Sequence, residues 1–283
     1  MPLTVTNTLE ETRKILSEIR RQGLRVGFVP TMGALHAGHA ALMRTAKAEC
    51  DFVVVSIFVN PTQFGPKEDL AKYPRTWEQD CALCEAVGVG LIFAPTPEVM
   101  YPTGFRTFVE VGQLSEVLCG PKRPGHFRGV ATVVLKLFNI VAPTVAYFGQ
   151  KDAQQVRVIQ QMTRDLDLPL TISVCPTVRE ADGLAMSSRN RYLDPTQRHH
   201  ATALYRALEF AKNKVAKGER DVPRLRQELV QLLANTPGAV LDYVEILTDD
   251  ALQPLEKLDR PALLALAVFF GTTRLIDNVT LSP

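Results

Sequence analysis

No run in this 283-residue chain is apolar for the ~20 residues that a membrane-crossing helix needs. The longest, Ala262–Phe270, reads as a buried strand. The segment from Pro2 has neither the basic stretch nor the apolar core of a secretory signal, so the expected compartment is the cytoplasm. A surplus of one charge is also missing: 32 Lys and Arg against 30 Asp and Glu leave a formal +2, with the cations scattered. That argues against a nucleic-acid binder, which needs clustered cations, but leaves room for a local basic pocket for a small anion. Cysteines number five, an odd count at irregular spacing, which fits a reducing environment. Cys81 and Cys84 share a helix face, but no second such pair and no matching histidines complete a zinc site. They read as core or half-buried thiols, and no metal site is expected. Gly-x-Gly-x-x-Gly and Walker Gly-Lys-Ser/Thr turns are absent, as are repeats and low-complexity segments.

What remains is an ordinary soluble composition, 46% hydrophobic and 22% charged, long enough for one large core or two modest domains. Helices are predicted over 9–21, 39–49, 76–87, 129–141 and 152–166. Strands are predicted over 25–30, 52–59, 90–94, 144–148 and 170–175. These strands are continuous β-branched runs separated by helices, the pattern of an α/β fold with a parallel sheet buried on both faces. Ligands bind such sheets beyond the carboxyl ends of the strands. From about residue 180 the texture changes. Asp194-Pro195 reads as an N-cap and N1 pair, and two amphipathic helices follow over 196–216 and 221–235, with His199-His200 read as solvated. Closely spaced strands over 240–247, 262–270 and 273–277 then imply a small α+β domain with an antiparallel sheet.

The most informative segment follows the first strand of the parallel set: Thr31-Met32-Gly33-Ala34-Leu35-His36-Ala37-Gly38-His39. Strand, glycine turn and helix N-terminus make an anion site, because unpaired backbone N–H groups and the helix dipole converge there. Two imidazoles add donors that can follow charge as it builds on a phosphate. The His-x-Gly-His pattern resembles the signature of nucleotidylyltransferases and class I aminoacyl-tRNA synthetases.

Three other turns carry usable chemistry. Asn60-Pro-Thr-Gln63-Phe64 can present amides to a carboxylate or hydroxyl, although it also suits an ordinary Asx-Pro turn. Phe148-Gly149-Gln150-Lys151-Asp152 offers a cation and a carboxylate at a helix start, which suits a nucleotide or a solvated cap. Met186-Ser187-Ser188-Arg189-Asn190, hinged at Gly183, could close over a polyphosphate or be a plain surface loop. A fourth cluster, Arg123-Pro-Gly-His126-Phe-Arg128, reads as a rigid basic turn suited to an anion.

Taken together with Tyr73-Pro-Arg75 and Leu275-Ile-Asp277-Asn278, these segments resemble, in order and along nearly the whole chain, the pantothenate synthetase (pantoate–β-alanine ligase) family. The resemblance implies a Rossmann-like domain over 1–180 that binds ATP and pantoate. It also implies a smaller α+β lid domain over 181–283, and a homodimer. Pantoate, ATP and β-alanine would be converted to pantothenate, AMP and pyrophosphate through a pantoyl adenylate, with magnesium carried by the ATP. By motif position, Met32, Gly33, Ala34, Leu35, His36, Ala37, Gly38 and His39 would line the ATP phosphates. Gly149, Gln150, Lys151, Asp152, Val178, Met186, Ser187, Ser188 and Arg189 would complete the nucleotide site, and Gln63 and Gln155 would hold pantoate. His39 is the catalytic histidine of the resemblance, assisted by His36, Lys151 and Arg189. Ala153 departs from the aromatic residue expected after Lys151-Asp152, which bears on local packing. The competing readings are a nucleotidylyltransferase that transfers AMP to a phosphate ester, and a non-catalytic nucleotide- or RNA-binding module.

Overall fold

The structure, a computed structural model, describes residues 2–66 and 68–283. The chain divides into two compact units: Met1–Gln150 with Gln154–Pro176, and Lys151–Ala153 with Thr177–Pro283.

The first unit runs β1 (Thr4–Thr6), α1 (Leu9–Arg21), β2 (Val26–Thr31), α2 (Ala37–Glu49), β3 (Phe52–Ile57), α3 (Trp77–Val87) and β4 (Leu91–Phe93). It continues through α4 (Pro97–Met100), α5 (His126–Val141), β5 (Val145–Gly149), α6 (Ala153–Asp165) and β6 (Thr171–Cys175). The sheet order is β1-β4-β3-β2-β5-β6, with every pairing parallel, as the continuous apolar strands implied. From β2 the chain builds outward through β3 and β4, then returns to the other side of β2 with β5 and β6. The carboxyl ends of β2 and β5 therefore flank the point where the winding reverses, the place where such sheets bind ligands.

Local chemistry explains the elements. Thr8 caps α1 by accepting from the Glu11 amide, acids fill the first turn and arginines the last, so both ends of the dipole are complemented. Residues Ala40, Met43 and Ala46 of α2 are buried at helical spacing. Val29, Val53, Val55, Ile92 and Tyr147 from the strands meet Met43 and Ala46 in one core cluster. Helix α5 starts at His126 rather than 129, because Gly125, at φ +80°, supplies the turn that opens it. Strand β1 was not expected: three residues on a sheet edge are too few to show a period.

The second unit holds α7 (Pro195–His200), α8 (Ala203–Ala216), α9 (Val222–Ala234), β7 (Ala239–Thr248), β8 (Ala262–Phe270) and β9 (Thr273–Leu281). The single helix expected over 196–216 is two, broken at Ala201–Thr202, where the Thr202 hydroxyl donates back to the His199 carbonyl at 2.8 Å. The three strands form the expected antiparallel sheet, ordered β7-β8-β9. Its buried face, with Leu264, Leu266 and Val268, packs with Leu204, Leu208 and Leu229 of the helices. Among the described residues no helix is long and apolar enough to cross a membrane.

Candidate active site

At the end of β2 the Thr31 hydroxyl donates to the Ser56 carbonyl (2.7 Å) and accepts from the Gly33 amide (3.1 Å), folding the chain into its turn. Gly33 has φ +79°, and a Cβ there would lie 3.0 Å from an Asp80 carboxylate oxygen and 3.1 Å from Ile57. Ala34 follows at φ +51°, a strained value for a residue with a Cβ. Asp80, in the first turns of α3 and only 2% exposed, holds that conformation. Its two oxygens accept from the amides of Ala34 (2.9 Å) and Leu35 (2.8 Å), and also from the Thr76 hydroxyl (2.9 Å). Nothing in the sequence marked Asp80 as part of the site.

His36 is the N-cap of α2. Its Nδ1 accepts from the Gly38 amide (3.1 Å), while the His36 amide donates to Nδ1 of His39 (3.3 Å). The two rings lie 4.1 Å apart, both half-buried, beside the exposed Ala37. This corrects the expected source of donors. The amides of Gly33, Ala34, Leu35, His36 and Gly38 are all engaged internally, so the turn cannot cradle a phosphate through them. Because both Nδ1 atoms act as acceptors, the ring N–H of each is on Nε2. The imidazoles and the helix dipole remain as the attraction for an anion.

After β3, Pro61–Gln63 forms a 3-10 turn whose buried residues lock one another. The Asn60 amide donates to Gln63 Oε1 (3.0 Å) and the Gly129 carbonyl (3.2 Å), and its oxygen accepts from the hydroxyls of Thr62 (2.9 Å) and Tyr101 (2.8 Å). Burial pushes the Tyr101 hydroxyl above its usual range, so it stays a donor. A Cβ at Gly129 would run into the Thr62 carbonyl, so only glycine lets α5 press this closely on the turn. Asn60 is thereby spent on structure. Gln63 reaches the first turn, its Nε2 lying 3.2 Å from the Met32 sulfur.

The basic cluster at 123–128 is not an open anion site. Arg123 grips Glu68 with Nε (2.7 Å) and Nη2 (2.5 Å). His126 Nδ1 donates to the Gln63 carbonyl (2.9 Å) and its Nε2 lies 2.9 Å from Arg123. Arg128 stacks 4.1 Å over Phe108. Arg123 and His126 brace the Gln63 turn, and a carboxylate from a distant loop neutralises Arg123. Burial alone would raise the Glu68 carboxyl, but Arg123 overcomes this and holds it below the ordinary range. Gly149 ends β5, the strand adjoining β2, and Gln150 follows it in a 3-10 turn. Of the two glutamines that follow, Gln154 spends its amide on Leu114, Val117 and Cys119, while Gln155 is half-buried.

In the second unit, Lys151 lies 3.7 Å from the Asp152 carboxylate, and its carbonyl accepts from Asn278 Nδ2 (2.9 Å). Ala153 is buried, so a larger side chain would need other packing there. Val178 and Met186 are brought together: the Met186 amide donates to the Val178 carbonyl (2.9 Å), with Arg179 bridged to Ala185. Ser187 caps the turn Ser188–Tyr192 by accepting from the Arg189 amide (3.2 Å). The expected flexible, glycine-hinged loop is instead a braced hairpin. Arg198 pairs with Glu180 (2.6 Å) and Asp182 (2.7 Å), and Asn190 donates to Glu180 (2.7 Å). Cys84 is wholly buried and Cys81 half-buried; burial pushes the Cys84 thiol up to about 12. Among the described residues no group of three or more His, Cys, Asp or Glu side chains is placed to hold a metal ion.

The pantoate–β-alanine ligase family model matches residues 4–280. The chain is 57% identical over 279 residues to the pantothenate synthetase of Pelotomaculum thermopropionicum, covering 99% of each. It is 53% identical over 279 residues to that of Thermotoga neapolitana, covering 99% of this chain and 100% of the other. The crystal structure of pantothenate synthetase from Thermus thermophilus is 46% identical and matches with a TM-score of 0.94 over 100% of both chains. That of the Francisella tularensis pantoate–β-alanine ligase, complexed with β-γ ATP and β-alanine, gives 0.80 at 36% identity over 98% of this chain and 97% of the other. With a family model and close relatives aligned along nearly its whole length, the chain belongs to the pantoate–β-alanine ligase family.

Proposed function

We propose that this enzyme joins (R)-pantoate to β-alanine at the expense of ATP, releasing AMP and pyrophosphate through a pantoyl adenylate. The observation that carries the reading is the turn after β2, where the His36 and His39 rings stand 4.1 Å apart at the start of α2 and Gln63 reaches the same turn at Met32. A carboxylate oxygen of pantoate attacks the α-phosphorus, and pyrophosphate leaves with the bond electrons. Charge builds on the phosphoryl oxygens, so positioned donors matter more than a protein base. His39, with His36 and Lys151, supplies those donors, and Arg189 with Ser187 and Ser188 holds the leaving group. Met32 to His39, Gly149 to Asp152, Val178 and Met186 complete the nucleotide site, and Gln63 and Gln155 hold pantoate. The β-alanine amine then attacks the acyl carbon and AMP departs. Magnesium enters bound to the ATP phosphates, as part of the substrate. Residues 1–180 serve as the ATP- and pantoate-binding domain and 181–283 as the lid domain of a cytoplasmic homodimer. The Francisella tularensis relative, crystallised with β-γ ATP and β-alanine, supports the choice of substrates. Mass-spectrometric product analysis tests it: ATP, pantoate and β-alanine should yield pantothenate and free AMP, and omitting β-alanine should accumulate pantoyl adenylate. AMP retained in the final product would overturn the reading in favour of nucleotidyl transfer.

A further inference from the structure

Asp277 and Asn278 are consecutive residues of β9, register partners of Leu266 and Ala265 on the wholly apolar strand β8. Consecutive strand residues face opposite ways, yet these two are only 2% and 5% exposed. Polar groups buried like this are costly unless each has partners. Both have them, and each partner belongs to a segment assigned to the nucleotide. The Asp277 carboxylate accepts from Nη1 (2.6 Å) and Nη2 (3.1 Å) of Arg179, and from the Asn278 amide (2.8 Å). Arg179 also donates to the Gly183 carbonyl (3.0 Å) and lies 4.9 Å from the Tyr205 ring centre, so it ties down both the base and the tip of the hairpin that leads from Val178 to Met186. Burial pushes the Asp277 carboxyl up while Arg179 opposes the shift. Asn278 donates to the Lys151 carbonyl across 127 residues of chain. Residues Lys151–Ala153 group with this unit, although both flanking stretches group with the other.

We propose that Asp277 and Asn278 are positioning residues for nucleotide binding, with Asn278 fixing the Lys151 turn and Asp277 fixing the hairpin that carries Met186 to Arg189. This rests on the assignment of Lys151 and Arg189 to ATP. Neither β9 side chain need touch substrate; each sets where a cation stands, and misplacement of a catalytic group by ~1 Å can cost about 100-fold.

A double-mutant cycle tests it, read by calorimetric titration of a non-hydrolysable ATP analogue into folded protein. Asn278→Ala should weaken analogue binding roughly tenfold in the wild-type background and less than about twofold when Lys151 is already Ala, because contacting or networked residues couple and independent ones add. Asp277→Asn should show the same coupling with Arg189→Ala. A purely structural role would lower the melting temperature and give equal fold-losses in both backgrounds. Equal losses, or unchanged affinity, overturn the proposal. Should Asn278→Ala fail to fold, Asn278→Ser runs the same cycle with a shorter donor. The analogue titration is independent of the acid being activated. A wild-type enzyme that makes no pantoyl adenylate therefore overturns the functional reading, while the cycle still decides the positioning claim.

Discussion

The main-chain N–H of His36 points at Nδ1 of His39, 3.3 Å away, so the second histidine caps the helix that the first one begins. One ring thus has two uses on the proposed reading: Nδ1 holds the helix start, and Nε2–H donates to the phosphoryl oxygens. Replacement can separate them. His39→Asn offers an oxygen to the His36 amide but no Nε2–H, whereas His39→Ala offers neither. Both should fold and both should lose adenylation by about 10²–10³-fold, the usual effect of deleting one preorganised donor. Rapid-quench measurement of adenylate formation checks this. Near-wild-type adenylation by His39→Asn would reduce the residue to its capping role.

Asp80→Asn should be destabilising despite its near-identical shape. The carboxylate serves two amides and a hydroxyl, and the amide variant turns an NH2 group toward one of those donors. Leaving a buried donor unsatisfied costs ~1–3 kcal/mol, which urea denaturation can resolve. Adenylation should slow as well, since the turn that carries His36 loses its clamp. An unchanged denaturation midpoint would show that the turn holds itself.

Gln63→Ala is expected to weaken pantoate binding far more than ATP binding. Its backbone is held independently by His126 and Arg123, so truncation should leave the turn in place. Separate titrations of the two ligands decide it. Equal losses for both would count against an assignment to pantoate.

The Glu68–Arg123 pair predicts a pH dependence of definite sign. Burial raises the Glu68 carboxyl, Arg123 lowers it, and the net value falls below the ordinary 4.5. The folded form therefore binds its proton less readily than the unfolded chain. Its stabilisation is present above the ordinary glutamate value and disappears as pH falls through the lower folded one. Wild type should be more stable than Glu68→Gln at pH 7, and the gap should close on acidification. A gap that widens toward low pH would contradict the assignment.

Arg189→Lys keeps the charge but not the two-pronged grip of a guanidinium. On the proposed reading it slows adenylation and weakens ATP binding while sparing attack by the amine once adenylate is supplied. Pre-steady-state measurement of the two half-reactions separates these effects. A Lys variant that adenylates at wild-type rate would remove Arg189 from the phosphate site.

Much of this was legible because it is local. Strands β2, β3 and β8 are short apolar runs bounded by turns, and His36 and His39 are three positions apart beside their glycine. What stayed hidden depends on distant partners. Asp80 meets Ala34 across 46 residues, Tyr101 meets Asn60 across 41, and Arg123 meets Glu68 across 55. A lone carboxylate in an amphipathic helix looks solvated until its partner is known. The same distance effect misled the reading of the basic cluster, whose neutralising acid lies in another loop. The break between α7 and α8 carries no Gly or Pro and so gave no local signal.

The Asp80 clamp also sets an order of assembly. In many nucleotide folds a strand, a turn and a helix could be imagined as a minimal phosphate-binding piece that forms early. Here residues 26–49 alone lack the carboxylate from α3 that accepts the amide of Ala34, a residue at positive φ. During synthesis the histidines therefore emerge well before the site exists. A peptide limited to β2 and α2 should bind no nucleotide. Competence should arrive only once β3 and α3 dock, so that the chain would acquire its chemistry together with its core.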